Sequence, residues 1–148
     1  MKIILYISLL LTSISFQACN GNQGHQEVIL SLDPAFTGDT LYLTPVFTYD
    51  GVEEATVVFD NHITHIGAVY DNEIYEYETG DIEVEKKKLL QKGVQLLGRT
   101  VMVNVEPGKY EVNLVAGYEM EQVEGHIQTF TQEISRTIDV RANNNHSS

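Results

Sequence analysis

Apolar and polar residues alternate with period two through most of the chain after residue 26. In EVILSL, Val28, Leu30 and Leu32 fall on one face, the pattern of a half-buried strand. DPAFTGD, with Pro34 and Gly38, reads as a loop. TLYLTPVFTY then puts Leu41, Leu43 and Phe47 in phase, and Pro45, which has no N–H to donate, predicts an edge or a bulge in that strand. Asp50-Gly51 signals a tight turn. ATVVF and HIGAVY are two further strands about a turn at Asp60-Asn61, and Asp71-Asn72 predicts a turn before EIYEYE.

The period changes once. DIEVEKKKLLQKG carries acids first and lysines later, with Gly93 as a cap, so a short helix is expected near residues 82–92. Beyond it, Val101, Val103 and Val105 alternate out to Pro107-Gly108, and Tyr110, Val112, Leu114 and Ala116 alternate back. This predicts a hairpin with a type II turn, glycine supplying the positive φ. HIQTFTQEISRTIDV forms a long last strand with Phe130, Ile134, Ile138 and Val140 on one face. About eight strands, short turns and one inserted helix predict a mostly β fold, a single antiparallel β-sandwich. The stretch from Val101 to Val140 resembles the closing strands of transthyretin-like and immunoglobulin-like sandwiches. EPGKYEVNLVAGYE, with its Gly117-Tyr118 pair, is also similar to the end of PEGA-type surface domains.

The first residues follow another rule. Lys2, an apolar run from Ile3 to Leu11 and a more polar stretch ending at Ala18 form the layout of a secretory signal peptide over residues 1–18. Cys19, the only cysteine, follows at once. SFQAC resembles a relaxed bacterial lipobox, although Phe16 and Gln17 replace the preferred residues. The resemblance implies cleavage before Cys19, diacylglycerol on its thiol and an acylated amino terminus, so the partner there is a membrane. Several acyl chains make a durable anchor, since each buried CH₂ contributes about 0.8 kcal/mol. Residues 19–26, NGNQGHQ after the cysteine, read as a flexible tether, 27–141 as the β-sandwich domain and 142–148 as a disordered tail. The tether has no acidic run of the kind that marks surface export, and Asn20 suits outer-membrane sorting. Family resemblance therefore points to the cell envelope, with a lipid anchor in the outer membrane facing the periplasm.

The formal charge of −12 becomes −13 once Lys2 leaves with the signal. Such a surface is repelled by phosphate backbones, which argues against nucleic acid. The first reading of the charge is solubility.

Catalytic chemistry has few candidates. Ser31 and Ser135 sit inside strand patterns without a Gly-x-Ser-x-Gly context, and there is no Gly-rich phosphate loop. His62 and His65 are three apart, which sends them to opposite faces of a strand; in a turn they could converge, with Asp60 as a carboxylate ligand. Metal sites normally declare three or four ligands, so the expectation is no metal, no cofactor and no enzyme. The acidic run YDNEIYEYETGDIEVE lacks the spacing of a calcium loop. Its simplest account is a charge-protected edge hairpin. A second account is a partner surface of Tyr70, Asp71, Glu73, Tyr75, Glu76, Tyr77 and Glu78, with tyrosines as contacts and carboxylates steering a basic partner. The sequence thus predicts a membrane-anchored, non-enzymatic lipoprotein that binds an envelope protein. The alternative is a glycan-binding accessory lipoprotein with tyrosine stacking platforms, and oligomeric state is left open.

Overall fold

The computed structural model describes residues 25–70, 84–121 and 125–141, and the backbone of 74–76. Ten strands and no helix occur among the described residues. They are β1 (Val28–Thr37), β2 (Thr40–Tyr49), β3 (Ala55–Asp60), β4 (Thr64–Tyr70), β5 (Ile74–Glu76), β6 (Glu85–Leu90), β7 (Gln95–Leu97), β8 (Val101–Asn104), β9 (Gly108–Glu121) and β10 (Ile127–Val140).

Two antiparallel sheets result. In the first, β2 pairs with β1 along one side and with β7 and β8 on the other. In the second, β10 lines one side of β9, while β4 and β3 share the other side and carry β5 and β6 outward. The alternating faces meet between the sheets. Phe47 and Tyr49 of β2 lie in one cluster with Val57, Leu90, Tyr118 and Phe130, and Leu41 and Leu43 lie in another with Ile66, Val69, Val112 and Leu114. Ile134 packs against both. Each large apolar side chain enclosed this way contributes roughly 1.5–3 kcal/mol.

Four expectations are corrected. DPAFTGD is not a loop: β1 continues through Pro34 to Thr37, and the chain reverses in two residues. Gly38 supplies the positive φ of 66° that a two-residue hairpin loop needs at its first position. Pro34 is tolerated because β1 is an edge strand.

Pro45 lies in a central strand. It falls where the partner side of β2 passes from β7, opposite Val46–Thr48, to β8, opposite Thr40–Leu43. The ladder is therefore interrupted where proline has no donor, and the Pro45 carbonyl accepts instead from the Gly98 N–H at 2.8 Å. Gly98 is pressed against the Thr64 carbonyl so closely that a Cβ would overlap it.

The helix expected near residues 82–92 is absent among the described residues. Residues 85–90 form β6, which pairs with β3 from Ala55↔Leu90 to Asp60↔Glu85. The leucines here share no helical face: Leu90 is fully buried, whereas Leu89 and Leu97 are 58% and 63% exposed. Helix propensity is a weak prior, and the free edge of β3 overrides it. The lysines instead guard the outer edge of the sheet. Gly93 does adopt positive φ, at 85°, but in the turn between β6 and β7.

The Pro107-Gly108 hairpin is also corrected. β8 pairs with β2 in the first sheet and β9 belongs to the second, so the segment between them is a corner. Gly108 does not take positive φ, which excludes the type II turn. Both routes keep Val103, Val105, Tyr110 and Val112 facing inward, which is why alternation could not separate them. The Tyr110 hydroxyl fastens the corner, donating to the Glu106 carbonyl at 2.9 Å and accepting from the Glu106 N–H at 3.1 Å.

Candidate functional site

A cleft of about 450 Å³ lies on the outer face of the second sheet. It opens because β9 changes partners. β4 pairs with Glu111–Ala116 and β3 with Thr56–Val58 against Glu119–Glu121, leaving a fork at Gly117. The Gly117 N–H reaches across, to the Ile63 carbonyl at 3.2 Å. Glycine leaves the fork open, since nothing stands within 4 Å of the Cβ it lacks.

His62 and His65 both line this cleft, with Asp60, Glu85 and Glu119 around them. Their convergence follows from the turn. Asn61 adopts a φ of 41°, so His62 precedes the regular strand. Thr64 then faces inward, fully buried, its hydroxyl donating to the Val115 carbonyl at 3.1 Å. This turns His65 to the outer face. Burial lowers the His65 pKa, and the neighbouring His62 lowers it further. The opposite-face argument fails here because the pair straddles a strand end. Even so, no group of three or more His, Cys, Asp or Glu side chains among the described residues is arranged to hold a metal ion. The cleft thus holds an imidazole whose charged form is disfavoured by burial, in a lining that also includes carboxylates.

The acidic hairpin is described only in part. Tyr70 ends β4 and is 36% exposed. Tyr75 and Glu76 lie in β5, opposite Val69 and Ala68, with their backbone alone described. Asp71, Glu73, Tyr77 and Glu78 lie outside the described residues, as do Cys19 and the segments 1–18 and 142–148. Ser31 and Ser135 sit within β1 and β10. His126 does not line the histidine cleft.

Two features escaped the sequence pattern. His25, placed in the tether by composition, packs edge-on against Phe130 at 5.2 Å. Phe130 stacks on Tyr118 at 5.4 Å, and Tyr118 meets Phe47 edge-on at 5.2 Å, forming an aromatic column through the core. The Tyr118 hydroxyl accepts from the His25 N–H at 3.3 Å. Burial raises the Tyr118 pKa, partly offset by that bond. Close spacing to Val28 was the only available signal for His25, whose carbonyl accepts the Val28 N–H at 3.0 Å.

The second feature is Tyr49, buried with its hydroxyl donating to the Glu53 carbonyl at 2.8 Å. Glu27 lies 3.3 Å from the same oxygen. Burial first, then the Glu27 and Glu53 charges, raises the Tyr49 pKa. Neither protein-family models nor curated proteins give a match to this chain.

Proposed function

We propose that this protein is a lipid-anchored, periplasm-facing lipoprotein of the outer membrane that acts without catalysis as a protein-binding or assembly component of a cell-envelope complex. The observation that carries the reading is the docking of His25 on the module, six residues after Cys19. Six residues span at most about 20 Å, so a lipid on Cys19 would hold the sheets close against the membrane. That geometry suits a component of an assembly at the bilayer surface. Within β-sandwiches, the Tyr110 hydroxyl bonded to the backbone four residues upstream favours kinship with immunoglobulin-like sandwiches, where a tyrosine fastens a similar corner. The glycan reading draws less support, since Tyr49, Tyr110 and Tyr118 are buried in the core and offer no stacking face, which leaves it Tyr70 and the half-buried Tyr42 among the described side chains.

Crosslinking in intact producing cells, followed by affinity capture and mass spectrometry, tests the proposal with Cys19→Ala as control. The expected result is one or two envelope proteins captured only with the lipidated form. Identical capture by Cys19→Ala would refute the anchored role, and failure to capture any protein would refute the assembly role.

A further inference from the structure

The two outer faces of the sandwich differ in charge. On the second sheet, β9 and β10 alone turn Lys109, Glu111, Glu119, Glu121, Glu133 and Asp139 outward. On the first sheet, the outward positions of β1, β2, β7 and β8 hold one charged residue, Asp33. The rest are hydroxyl, amide and apolar side chains. Arg99 stands beside this face, in the link between β7 and β8. Among the described residues no third layer of strands covers it. A chain with a net charge of −12 thus keeps one broad face almost free of charge.

Its residues lie in rows across β2. Ser31, Val46 and Leu97 form one row, and Ala35, Tyr42 and Met102 form another, four residues away along β2. Between them is a polar row, Asp33 beside Thr44, whose hydroxyl lies 2.8 Å from that of Thr100. The two apolar rows are lopsided. Leu97 and Met102, on the β7–β8 side, are 63% and 66% exposed. Their counterparts on the β1 side are the small residues Ser31 and Ala35.

We infer that this face is where two copies of the chain meet, packed sheet on sheet about a two-fold axis that runs along β2. Such an axis exchanges the two sides of the face. Leu97 of each copy covers Ser31 of the other, and Met102 covers Ala35, so bulk meets hollow. Each Asp33 lies over the other copy's Thr100, beside Arg99. An axis across the strands would instead set Asp33 against Asp33. The charge selects the occupant: two copies at −12 repel through their carboxylate-rich faces and can approach closely through this one. Matching of large with small residues about one axis is what a second copy requires and a bilayer does not. A face ten residues long and three strands wide offers about 500 Å² per copy, so the pair buries about 1,000 Å² in total, the lower bound for a specific interface. The dimer should therefore dissociate in the range of about 1–100 μM.

The test uses the full chain in one detergent throughout, with Cys19→Ala to remove the native thiol. Sedimentation velocity over a concentration series should show a monomer–dimer equilibrium. Leu97→Glu with Met102→Glu, both at exposed positions, should weaken association about tenfold or more. Ser31→Glu alone should weaken it too. Adding Leu97→Lys to Ser31→Glu should recover it, because each new carboxylate then faces a new ammonium across the axis. Thr44→Cys, close to the axis, should crosslink to its counterpart through a short bismaleimide. Ser135→Cys, exposed on the outer face of the second sheet, should not.

A monomer at every concentration up to about 1 mM would overturn the inference, and vesicle binding by that monomer would assign the face to the bilayer instead. A dimer that survives Leu97→Glu with Met102→Glu, or that crosslinks at Ser135→Cys, would place the contact elsewhere and overturn it equally. Failure of Leu97→Lys to recover the Ser31→Glu variant would remove the axis along β2, and the inference with it. The envelope role proposed above does not depend on this face. Partner capture in cells by a protein that stays monomeric would leave that role standing and remove only the pairing.

Discussion

β6 and β10 are both outermost strands of the second sheet, and they hold their places by opposite means. β6 exposes five consecutive residues and buries one, Leu90. β10 sends Phe130, Ile134, Ile138 and Val140 toward the core and pairs along its whole length. The difference teaches that an edge strand can be fixed by a single anchor when charge guards its outside. A long edge strand is instead secured by packing along its length, with Arg136 reaching the Leu30 carbonyl of β1 at 3.4 Å.

The comparison is broken most severely at Phe130. Phe130→Ala removes the stack on Tyr118 and the contact with His25, and should cost about 3–5 kcal/mol in denaturant unfolding. Because His25 docks on the same ring, the first described residues should lose hydrogen-exchange protection as well. A loss below about 1 kcal/mol would mean that the aromatic column does not hold β10.

Leu90→Ala should follow, at about 2–5 kcal/mol, since its side chain is fully buried and is the strand's one anchor. Its signature is local. Amides of β6 and of its partner β3 should exchange faster while β10 keeps its protection. Uniform loosening of both edges would show that they are not held independently.

Replacing Lys86, Lys87 and Lys88 together by threonine sharpens the contrast at small energetic cost. The Lys87–Glu121 pair at 3.3 Å is exposed, so stability should fall by no more than about 1 kcal/mol. Association should instead rise with concentration in sedimentation, because the guard on β6 is gone. A variant that stays as dispersed as the parent would argue that the lysines have no such role.

The smallest effect lies in the cleft lined by Glu85 of β6 and Thr131 of β10. Burial and His62 depress the His65 pKa in the fold, while the unfolded chain titrates near its ordinary value of about 6.5. The unfolded state thus binds more protons below that pH. The contribution of a neutral His65 is complete above about pH 6.5 and is lost as pH falls toward the folded value. His65→Gln should flatten the stability difference on the acid side. Parallel stability curves for parent and variant from neutral pH downward would contradict this.

Much of the architecture was legible from alternation. Val28 and Leu30, Leu41 and Leu43, and Phe130 and Val140 face the core as their phase requires. Their partners were not legible. Val103 and Tyr110 keep the same inward phase whether β8 and β9 join in a hairpin or part at a corner. The histidine cleft was half readable: two histidines and Asp60 near a turn suggested convergence, but the fork in β9 that opens the cleft arises from residues fifty positions later.

The sequence by itself determined which side of the alternating strands is buried, because that depends only on the order of apolar residues along a two-residue repeat; β6 and the second half of β1, which do not alternate, escaped it. It also determined an acidic surface and the single cysteine at position 19. The tertiary structure decided which strands pair, since backbone hydrogen bonds carry no residue code. It made EKKKLL a strand, because the open edge of β3 and a buried place for Leu90 outweigh a modest helical preference. It also left β10 paired on one side alone among the described residues, which depends on where the other strands have gone.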